Sequence, residues 1–327
     1  MSKLINIGIV GYGNLGKGVE QAIKLNPDMK LIGIFTRRDV KSVNTSNNDI
    51  LYHISEINKF NDKIDVMILC GGSATDLDTQ GPMIAADFNT VDSFDTHARI
   101  PEYFDKMNEV AKKSGTCSVI ATGWDPGLFS LNRLLGLSIL PQGKDYTFWG
   151  NGVSQGHSDA IRQLEGVKYA VQYTVPKPEI IEEVRSGSNP NLTSRDMHQR
   201  ICYVVPEDNA DISKIEKEIK NMPNYFAGYE TIVNFISAEE FDKEHRGMPH
   251  GGIVFRIGQT SSGTNQKMEF SIELDSNPEF TASVNVAYAR AIYRLAQEGK
   301  TGAYTVFDIP FSYLSPLSPE ELRRELL

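Results

Sequence analysis

Cysteine is scarce in this chain, and long apolar runs are absent. The three cysteines, Cys70, Cys117 and Cys202, are odd in number and far apart, with no CxxC spacing. This weighs against a disulfide framework or a zinc site and favours small buried hydrophobic residues in a reducing compartment. No run approaches the roughly 18 apolar residues of a membrane helix, and the start shows no signal-peptide pattern. We therefore expect a cytoplasmic protein.

Clusters of positive charge are also missing. The 327 residues carry a net charge of −9, and the lysines and arginines are scattered. Nucleic acid and anionic membranes are recognised by basic patches, so we expect neither as a partner. A chain of this length can form two or more domains with apolar cores, and small polar molecules are the favoured partners.

The first 140 residues alternate apolar runs with helical patterns. Buried strands are predicted at LINIGIVG (4–11), MKLIGIF (29–35), IDVMILC (64–70), NTVDSF (89–94) and CSVIA (117–121), with helices at 14–25 and 101–113. This alternation predicts an α/β fold with a doubly wound parallel sheet of the Rossmann type.

After about residue 146 the strands become longer and alternate in polarity. They are KYAVQYTV (168–175), RICYVV (200–205), ETIVNFI (230–236), GIVFRIG (252–258) and KMEFSIEL (267–274). The last two flank QTSSGTNQ, which has the composition of a hairpin connection. Helices are predicted at 212–222 and 281–297. This part predicts a second, α+β domain with a mixed or antiparallel sheet.

The segment GYGNLG (11–16) follows a predicted strand and opens a helix. In this context a G-x-G-x-x-G pattern gives a tight turn, a close approach to a pyrophosphate and backbone N–H groups that face the phosphates. We predict a dinucleotide site that includes Gly11, Gly13, Asn14, Leu15 and Gly16.

The end of the second predicted strand indicates which dinucleotide binds. The residue that reads the adenosine ribose lies about 20 positions beyond the glycines, at Thr36, Arg37 and Arg38. An acid there would repel a 2′-phosphate, whereas guanidinium groups bind it well. The sequence therefore favours NADP(H) over NAD(H). The alternative is that both arginines are only solvated surface residues.

Three polar segments follow strands at the edge where ligands bind in such sheets: CGGSATD (70–76), VDSFDTH (91–97) and TGWDPG (122–127). Further cofactor contacts are expected from Cys70, Gly71, Ser73, Ala74, Thr75, Asp92, Ser93, Phe94, Gly123, Pro126 and Gly127. Ser73 and Thr75 have the alternative role of a helix cap. Asp92 has the alternative of a structural role.

Two acids in these segments are the candidate catalytic residues. Asp95 and Asp125 follow neighbouring strands, so both are expected at the same edge. They would neutralise a cationic substrate, and one carboxylate would accept a proton from its ammonium group. The alternative for Asp125 is a turn residue ahead of Pro126.

The second region supplies Thr174, Arg200 and His250 as polar groups for substrate carboxylates. A metal site is not expected, because the spacing of His245 and His250 does not put both on one helix face. A serine hydrolase is not expected either, because no G-x-S-x-G segment occurs.

With these residues in view, nearly the whole chain resembles the meso-diaminopimelate dehydrogenase family. The segments that carry the resemblance are GYGNLG (11–16), FTRR (35–38), CGGSATD (70–76), VDSFD (91–95), TGWDPG (122–127), TFWG (147–150), SQGHSDA (154–160), VQYT (171–174), HQR (198–200), GMPHGG (247–252) and DSNPEFTA (275–282).

The resemblance implies an NADPH-dependent homodimer. Its dinucleotide-binding domain would comprise residues 1–122 with about 281–327, and its substrate-binding and dimerisation region residues 123–280. Asp95 and Asp125 would hold the D-configured amino end, and Trp124, Trp149, Gln155 and Gly156 would shape the pocket. Thr174, Arg200, His250 and Asn277 would bind the distal L-amino acid end.

The implied reaction is the reversible oxidative deamination of meso-2,6-diaminopimelate to L-2-amino-6-oxopimelate and ammonia. Two alternatives compete with it. The first is another NADP-dependent enzyme of related plan, such as a sugar-type oxidoreductase or an imine-reducing enzyme. The sugar-type family is expected to carry a lysine in an E-K-P stretch, and VDSFDTH contains no lysine. A cofactor-sensing regulator needs an output surface, and the sequence shows no basic recognition helix or disordered tail.

Overall fold

The computed structural model describes residues 4–46 and 50–327. Contacts divide the chain into two compact units, Met1–Leu131 with Pro278–Leu327, and Asn132–Asn277. The predicted domain limits, at 122/123 and about 280/281, lie close to these divisions. They stay a prediction, since compactness does not show which unit binds a ligand.

The strands of the described residues are β1 (Ile5–Val10), β2 (Met29–Thr36), β3 (Leu51–His53), β4 (Val66–Leu69), β5 (Asn89–Asp92), β6 (Cys117–Val119), β7 (Lys144–Trp149), β8 (Gly152–Val153), β9 (Val167–Pro176), β10 (His198–Pro206), β11 (Glu230–Phe235), β12 (His250–Ser261), β13 (Thr264–Leu274) and β14 (Gly302–Tyr304). All ten predicted strands are present. The additional strands are short or have a composition that did not distinguish them from loops.

The α-helices of the described residues are α1 (Asn14–Lys24), α2 (Asp78–Ala85), α3 (Ile100–Ser114), α4 (Leu128–Ile139), α5 (Gln155–Arg162), α6 (Pro178–Arg185), α7 (Ser194–Met197), α8 (Ile212–Asn221), α9 (Ala238–Glu244), α10 (Asn277–Gln297) and α11 (Pro319–Leu326). Within the described residues, no helix is both long and apolar enough to cross a membrane.

The first unit contains a seven-stranded sheet in the order β14-β6-β5-β4-β1-β2-β3. Neighbouring strands are parallel throughout, which confirms the predicted doubly wound sheet. The strand order reverses between β1 and β4. In open α/β sheets the ligand crevice lies beyond the carboxyl ends of the strands at this point.

Both faces of this sheet are covered, as the continuous apolar runs predict. In β4, Val66 and Ile68 join one apolar core, whereas Met67 and Leu69 join the other. The first core includes residues of α1 and α10, and the second includes residues of α2 and α3. Successive side chains point to opposite faces, so a strand buried on both faces must be apolar at every position.

The second unit contains two sheets, of order β11-β10-β9-β8 and β13-β12-β7. The pair β10–β11 is parallel and the other pairs are antiparallel, so the mixed character is as predicted. The sequence predicted a single sheet because strand composition does not reveal pairing partners.

The hairpin between β12 and β13 is tighter than predicted. Its strands reach Ser261 and Thr264, leaving only residues 262–263 as the turn instead of the whole QTSSGTNQ segment. Gly263 has φ +79°. A two-residue turn requires a positive φ, which glycine adopts at low cost. The polar residues belong to exposed strand ends, whose composition resembles that of a loop.

Candidate active site

The glycine loop lies between β1 and α1, where each glycine has a different surrounding. A Cβ on Gly16 would lie 2.2 Å from the carbonyl oxygen of Gly11, and Gly11 itself has φ +91°. These two positions therefore require glycine for the turn and for close packing. A Cβ on Gly13 would meet no atom within 4 Å. The loop thus presents open space at the start of α1, where a pyrophosphate fits.

The predicted ribose-reading residues follow β2, as expected. Thr36 is buried, and its hydroxyl accepts a hydrogen bond of 3.1 Å from the Arg38 amide. The Arg38 guanidinium donates to the carbonyl of Tyr12 in the glycine loop, and Arg37 forms an ion pair with Asp76. These residues line a cavity of about 270 Å³ that also reaches Gly11 and Gly13. Two cations beside the glycine loop suit a phosphorylated ribose.

The CGGSATD segment forms a short turn after β4. Ser73 is buried, and its hydroxyl accepts a 3.0 Å hydrogen bond from the amide of Asp95. Gly72, not Ser73, is the capping residue of this turn. Gly71 and Cys70 are half-buried beside the glycine loop, whereas Ala74 and Thr75 are exposed. Ser73 therefore supports the Asp95 loop, and Ala74 and Thr75 remain open to a ligand.

The structure brings the two acid-bearing loops together. Asp95 follows β5 and Asp125 follows β6, which are neighbouring parallel strands. Asp95 is exposed and Asp125 is half-buried. The backbone of the two loops is joined where the Thr122 amide donates a 2.9 Å hydrogen bond to the carbonyl oxygen of Asp92. Both carboxyl groups thus belong to the same edge of the sheet, as the sequence predicted.

The TGWDPG segment is a closed turn whose glycines are needed for geometry. Gly127 has φ +129°, and a Cβ there would lie 1.9 Å from the carbonyl oxygen of Gly123. Trp124 is buried and packs edge-on against Phe129, with 5.3 Å between ring centroids. Pro126 is half-buried. Asp125 is therefore a turn residue by position, which does not conflict with a chemical role.

Two of the expected cofactor residues are fully buried. Asp92 and Phe94 have no exposed surface, while Ser93 between them is half-buried. Phe94 stacks on Tyr103 with 4.1 Å between ring centroids. The Asp92 carboxylate accepts hydrogen bonds from the amides of Phe94 and Ala121. Both side chains point into the core, and a contact of these two residues with a cofactor stays a prediction.

In the second unit, strand register aligns three of the predicted substrate residues. Thr174 on β9 is paired with Gly152 of β8 on one side and with Arg200 of β10 on the other. The ring of His250 lies against Gly152, where a Cβ would come within 2.3 Å of it. Gly152 is therefore the residue that admits the imidazole beside Thr174.

Arg200 is held from two sides without a carboxylate. It donates to the hydroxyl of Thr174, and its guanidinium lies 4.3 Å from the ring centre of Tyr229. Its Nε is buried and has no hydrogen-bond partner among the described residues. Burial lowers the pKa of Arg200 from its ordinary value, because removing a cation from water costs free energy. An anionic ligand group would compensate this buried charge.

The remaining residues that are predicted to bind substrate lie at the starts of helices. The Asn277 amide donates a 2.9 Å hydrogen bond to the carbonyl of Met248, which places Asn277 beside the segment that leads to His250. Gln155 and Gly156 begin α5 and are both exposed. Their positions leave them open to a ligand.

Trp149 is oriented by a residue that the sequence did not identify. The Trp149 amide donates a 2.9 Å hydrogen bond to Nε2 of His198, whose Nδ1 lies 2.9 Å from the carbonyl of Ser194. These partners fix a neutral tautomer with the proton on Nδ1. The rings of Trp149 and His198 stack at 5.6 Å. Burial lowers the pKa of His198 to about 4.

Sequence reasoning missed Tyr229, and it gave a structural role for Asp92 only as an alternative, which the burial of this residue supports. The alternation in VDSFD was a usable signal: Phe94 is apolar, and Asp92 two residues earlier must share its buried face. Tyr229 lies outside every recognisable motif, so only the structure links it to Arg200.

The two sets of side chains suit different chemistry. The loops with Asp95 and Asp125 offer carboxylates that can hold an ammonium group and accept its proton. The group with Thr174, Arg200 and His250 offers donors for a carboxylate. Among residues 4–46 and 50–327, no three or more His, Cys, Asp or Glu side chains are grouped to hold a metal ion.

Comparison with known proteins agrees with this arrangement. Residues 123–276 match the model of the diaminopimelic acid dehydrogenase C-terminal domain. The meso-diaminopimelate D-dehydrogenase of Ureibacillus thermosphaericus is 62% identical over 327 residues, which is 100% of both chains.

Solved structures give the same result. The diaminopimelate dehydrogenase of Corynebacterium glutamicum in complex with DAP has a TM-score of 0.92 and 44% identity, with 100% of both chains covered. An engineered D-amino acid dehydrogenase bound to NADP⁺ has a TM-score of 0.87 and 43% identity, covering 99% of this chain and 100% of the other. The full-length identity and the fold together show that the chain belongs to the meso-diaminopimelate D-dehydrogenase family of oxidoreductases.

Proposed function

We propose that this protein catalyses the reversible, NADP(H)-dependent oxidative deamination of the D-centre of meso-2,6-diaminopimelate. The products are L-2-amino-6-oxopimelate and ammonia. The observation that carries the proposal is the pair of acid-bearing loops at the ends of β5 and β6, at the same edge of the sheet as the glycine loop, in a full-length member of this family.

The residues present fit the cofactor. Open space above Gly13 receives the pyrophosphate, and Arg37 and Arg38 receive the 2′-phosphate of the adenosine ribose. Asn14 and Leu15 at the start of α1, and Thr36, Cys70, Gly71, Ala74, Thr75, Ser93, Gly123, Pro126 and Gly127, complete the proposed contacts. NADP⁺, when bound, accepts the hydride that leaves the substrate carbon.

Asp95 and Asp125 are the proposed catalytic residues. Their carboxylates hold the ammonium group of the D-centre, and one of them accepts its proton. The lone pair that this releases on nitrogen assists departure of the hydride from the adjacent carbon, which gives an imine. Water then adds to the imine carbon, and ammonia leaves. Reversal of these steps gives reductive amination.

The opposite end of the substrate is assigned to the second unit. Arg200 supplies a cation for the distal carboxylate, and Thr174, His250 and Asn277 supply further polar contacts. Trp124, Trp149, Gln155 and Gly156 are proposed to shape the pocket. A substrate that lacked the distal amino acid would leave the buried charge of Arg200 uncompensated, and such losses cost several kcal/mol.

The assay that tests this function follows NADP⁺ reduction with the separated meso, LL and DD isomers of diaminopimelate. We expect reduction with the meso isomer and much slower reduction with NAD⁺. Absence of turnover by a folded sample that binds NADPH would contradict the enzyme assignment.

We also propose that the protein is a cytoplasmic homodimer. The reducing location is supported by its three cysteines, none of which forms a disulfide. The dimer is supported by α4, where Leu134, Leu135, Leu137 and Ile139 are 41–55% exposed. Gly136 on the same helix packs against Arg256 of β12, so the helix is anchored on one side and apolar on another. Exposed apolar groups of this kind mark interfaces between copies of a chain.

Light scattering after gel filtration tests the dimer. The Leu134→Glu/Leu137→Glu variant is expected to elute as a folded monomer. Lys220→Glu, at an exposed position of α8, changes the net charge by the same amount and serves as the charge control. A dimer of unchanged mass in the α4 variant would exclude this surface.

A further inference from the structure

Asp92 is the last residue of β5 and has no exposed surface. Its two carboxylate oxygens have different partners. Oδ1 accepts hydrogen bonds from the amides of Phe94 at 3.0 Å and Ala121 at 3.2 Å, whereas Oδ2 accepts one of 2.8 Å from the hydroxyl of Tyr103. The carboxylate therefore joins the backbone after β5 to the backbone after β6.

The two amides held by Oδ1 lead directly to the proposed catalytic residues. Phe94 immediately precedes Asp95, and Ala121 begins the segment that reaches Asp125. The carbonyl of Asp92 adds a third link, because it accepts a 2.9 Å hydrogen bond from the Thr122 amide. One buried residue thus contacts the start of both acid-bearing loops.

Ala121 provides an independent sign that this junction is constrained. Its φ is +55°, in the left-handed region that costs an alanine roughly 1–2 kcal/mol. Such a conformation persists only where surrounding contacts hold it. The Asp92 carboxylate holds the amide of Ala121, and the Asp92 carbonyl holds the next amide. These contacts direct the chain from β6 into the turn that carries Asp125.

Burying a carboxylate costs free energy, which is not expected of a side chain that only fills space. Burial raises the pKa of Asp92 to about 6, since the charged form loses its hydration. An ionised acceptor forms shorter and stronger hydrogen bonds with backbone amides than a neutral one. The contacts of Oδ1 nevertheless depend first on an oxygen at that position, which gives the two loops a common acceptor and which a neutral amide would also provide.

We propose that Asp92 is a positioning residue whose carboxylate fixes the loops of Asp95 and Asp125 relative to each other. This inference rests on the proposed function. Through the two loops, Asp92 sets the separation of the carboxylates that hold the substrate ammonium group and accept its proton. Its buried carboxylate acts through these loops and not through the substrate.

The test compares Asp92→Ala with Asp92→Asn and with a control on the same strands. Asp92→Ala removes both amide contacts and is expected to lower kcat with meso-diaminopimelate roughly 10- to 100-fold, while the Kd of NADPH stays within about 2-fold. Asp92→Asn keeps an oxygen at the Oδ1 position, so it is expected to recover most of kcat.

Thr90→Val is the matched control. Thr90 is buried on β5, and its hydroxyl donates a 2.9 Å hydrogen bond to Ser118 of β6. The variant breaks a buried link between the same strands, before either loop begins. It is expected to lose stability and to keep kcat per folded molecule. The proposal would be overturned if Thr90→Val lost as much kcat as Asp92→Ala, or if Asp92→Asn failed to recover activity.

Amide hydrogen exchange separates this inference from the proposed function. In full-length Asp92→Ala the amides of Phe94 and Ala121 are expected to exchange faster than in the wild type, and in Asp92→Asn they are not. Unchanged exchange in Asp92→Ala would overturn the inference. Wild-type protein without turnover would instead overturn the proposed function, whatever the exchange shows.

A second variant tests the proposal if Asp92→Ala does not fold. Glycine adopts positive φ at no steric cost, so Ala121→Gly removes the strain that the Asp92 contact opposes. The kcat of the Asp92→Ala/Ala121→Gly variant is then compared with that of Ala121→Gly alone. A smaller loss of kcat than in Asp92→Asn would contradict the proposal, and a loss of roughly 10-fold or more would support it.

Discussion

The acid-bearing loops of the first unit and the Thr174–Arg200 pair of the second unit are positioned by different means. Asp95 and Asp125 lie on loops, which are held by hydrogen bonds that backbone amides donate to buried side chains. Thr174 and Arg200 lie within strands, where register places them side by side. The loops can therefore change shape when one buried side chain is lost, whereas the strand pair depends mainly on the side chains themselves.

The same contrast appears in the electrostatics. The proposed catalytic carboxylates are exposed or half-buried, so water stabilises them in the absence of a ligand. Arg200 is shielded by the ring of Tyr229 and has no carboxylate partner within the described residues, so its charge is only partly compensated. The first region is suited to proton transfer and the second to binding an anion.

Replacement of a proposed catalytic acid should have the largest effect. Asp125→Asn removes a proton acceptor while keeping the shape, and we expect kcat with meso-diaminopimelate to fall by roughly 10²- to 10⁴-fold. Steady-state kinetics measure kcat, and NADPH fluorescence checks that cofactor binding is retained. A variant with wild-type kcat would remove Asp125 from the chemistry.

Replacement of Arg200, the cation on strand β10, should mainly affect substrate binding. Arg200→Met is expected to raise the KM for meso-diaminopimelate roughly 100-fold, because the distal carboxylate loses its charged partner. Arg195→Met is the matched control, since Arg195 lies 5.7 Å from the same Tyr229 ring but is exposed. Equal effects of the two substitutions would show that loss of the ring contact, not of the anion site, is responsible.

Replacement of the two arginines proposed to bind the 2′-phosphate should have a smaller effect that is selective for one cofactor. Arg37→Ala/Arg38→Ala is expected to raise the Kd of NADP⁺ roughly 10- to 100-fold and to leave that of NAD⁺ almost unchanged. Lys41→Ala removes an exposed cation from the same segment as a control. If both cofactors were weakened alike, the assignment of the 2′-phosphate to these arginines would be lost.

The pH dependence of stability should distinguish His198 from the exposed histidines. Its pKa is lowered from 6.5 to about 4, so the folded state disfavours the proton. This contribution to stability is complete above pH 6.5 and is lost as the pH falls toward 4. Between pH 8 and pH 5 the wild type should lose about 2 kcal/mol that His198→Gln retains. Urea unfolding measures this, with His97→Gln as the exposed control; identical curves for all three proteins would contradict the assignment.

The sequence predicted the parallel sheet and the glycine loop because both depend on local patterns. The runs of β1 and β4 are apolar at nearly every position, and Gly11 and Gly16 occupy sites that admit no side chain. Pairing partners and buried contacts are not local. The sequence therefore could not show that the second unit has two sheets, nor that His198 orients Trp149.

The VDSFD segment shows where sequence reasoning stops. Its strand, its place at the sheet edge and the exposed Asp95 were predicted. For Asp92 the sequence left both a cofactor contact and a structural role open, because an acid at a sheet edge is compatible with either. Phe94 belongs to the same segment, but the other two partners of Asp92, Ala121 and Tyr103, come from separate segments that only the fold brings to it.

Chiral analysis of the product tests the central claim most directly. If the acid-bearing loops receive the D-centre and the Arg200 group receives the L-centre, turnover of meso-diaminopimelate with NADP⁺ must leave the L-amino acid intact. We predict that the amino acid centre of the 2-amino-6-oxopimelate formed is entirely L. A product with the D configuration, or a mixture of both, would contradict the assignment of the two ends.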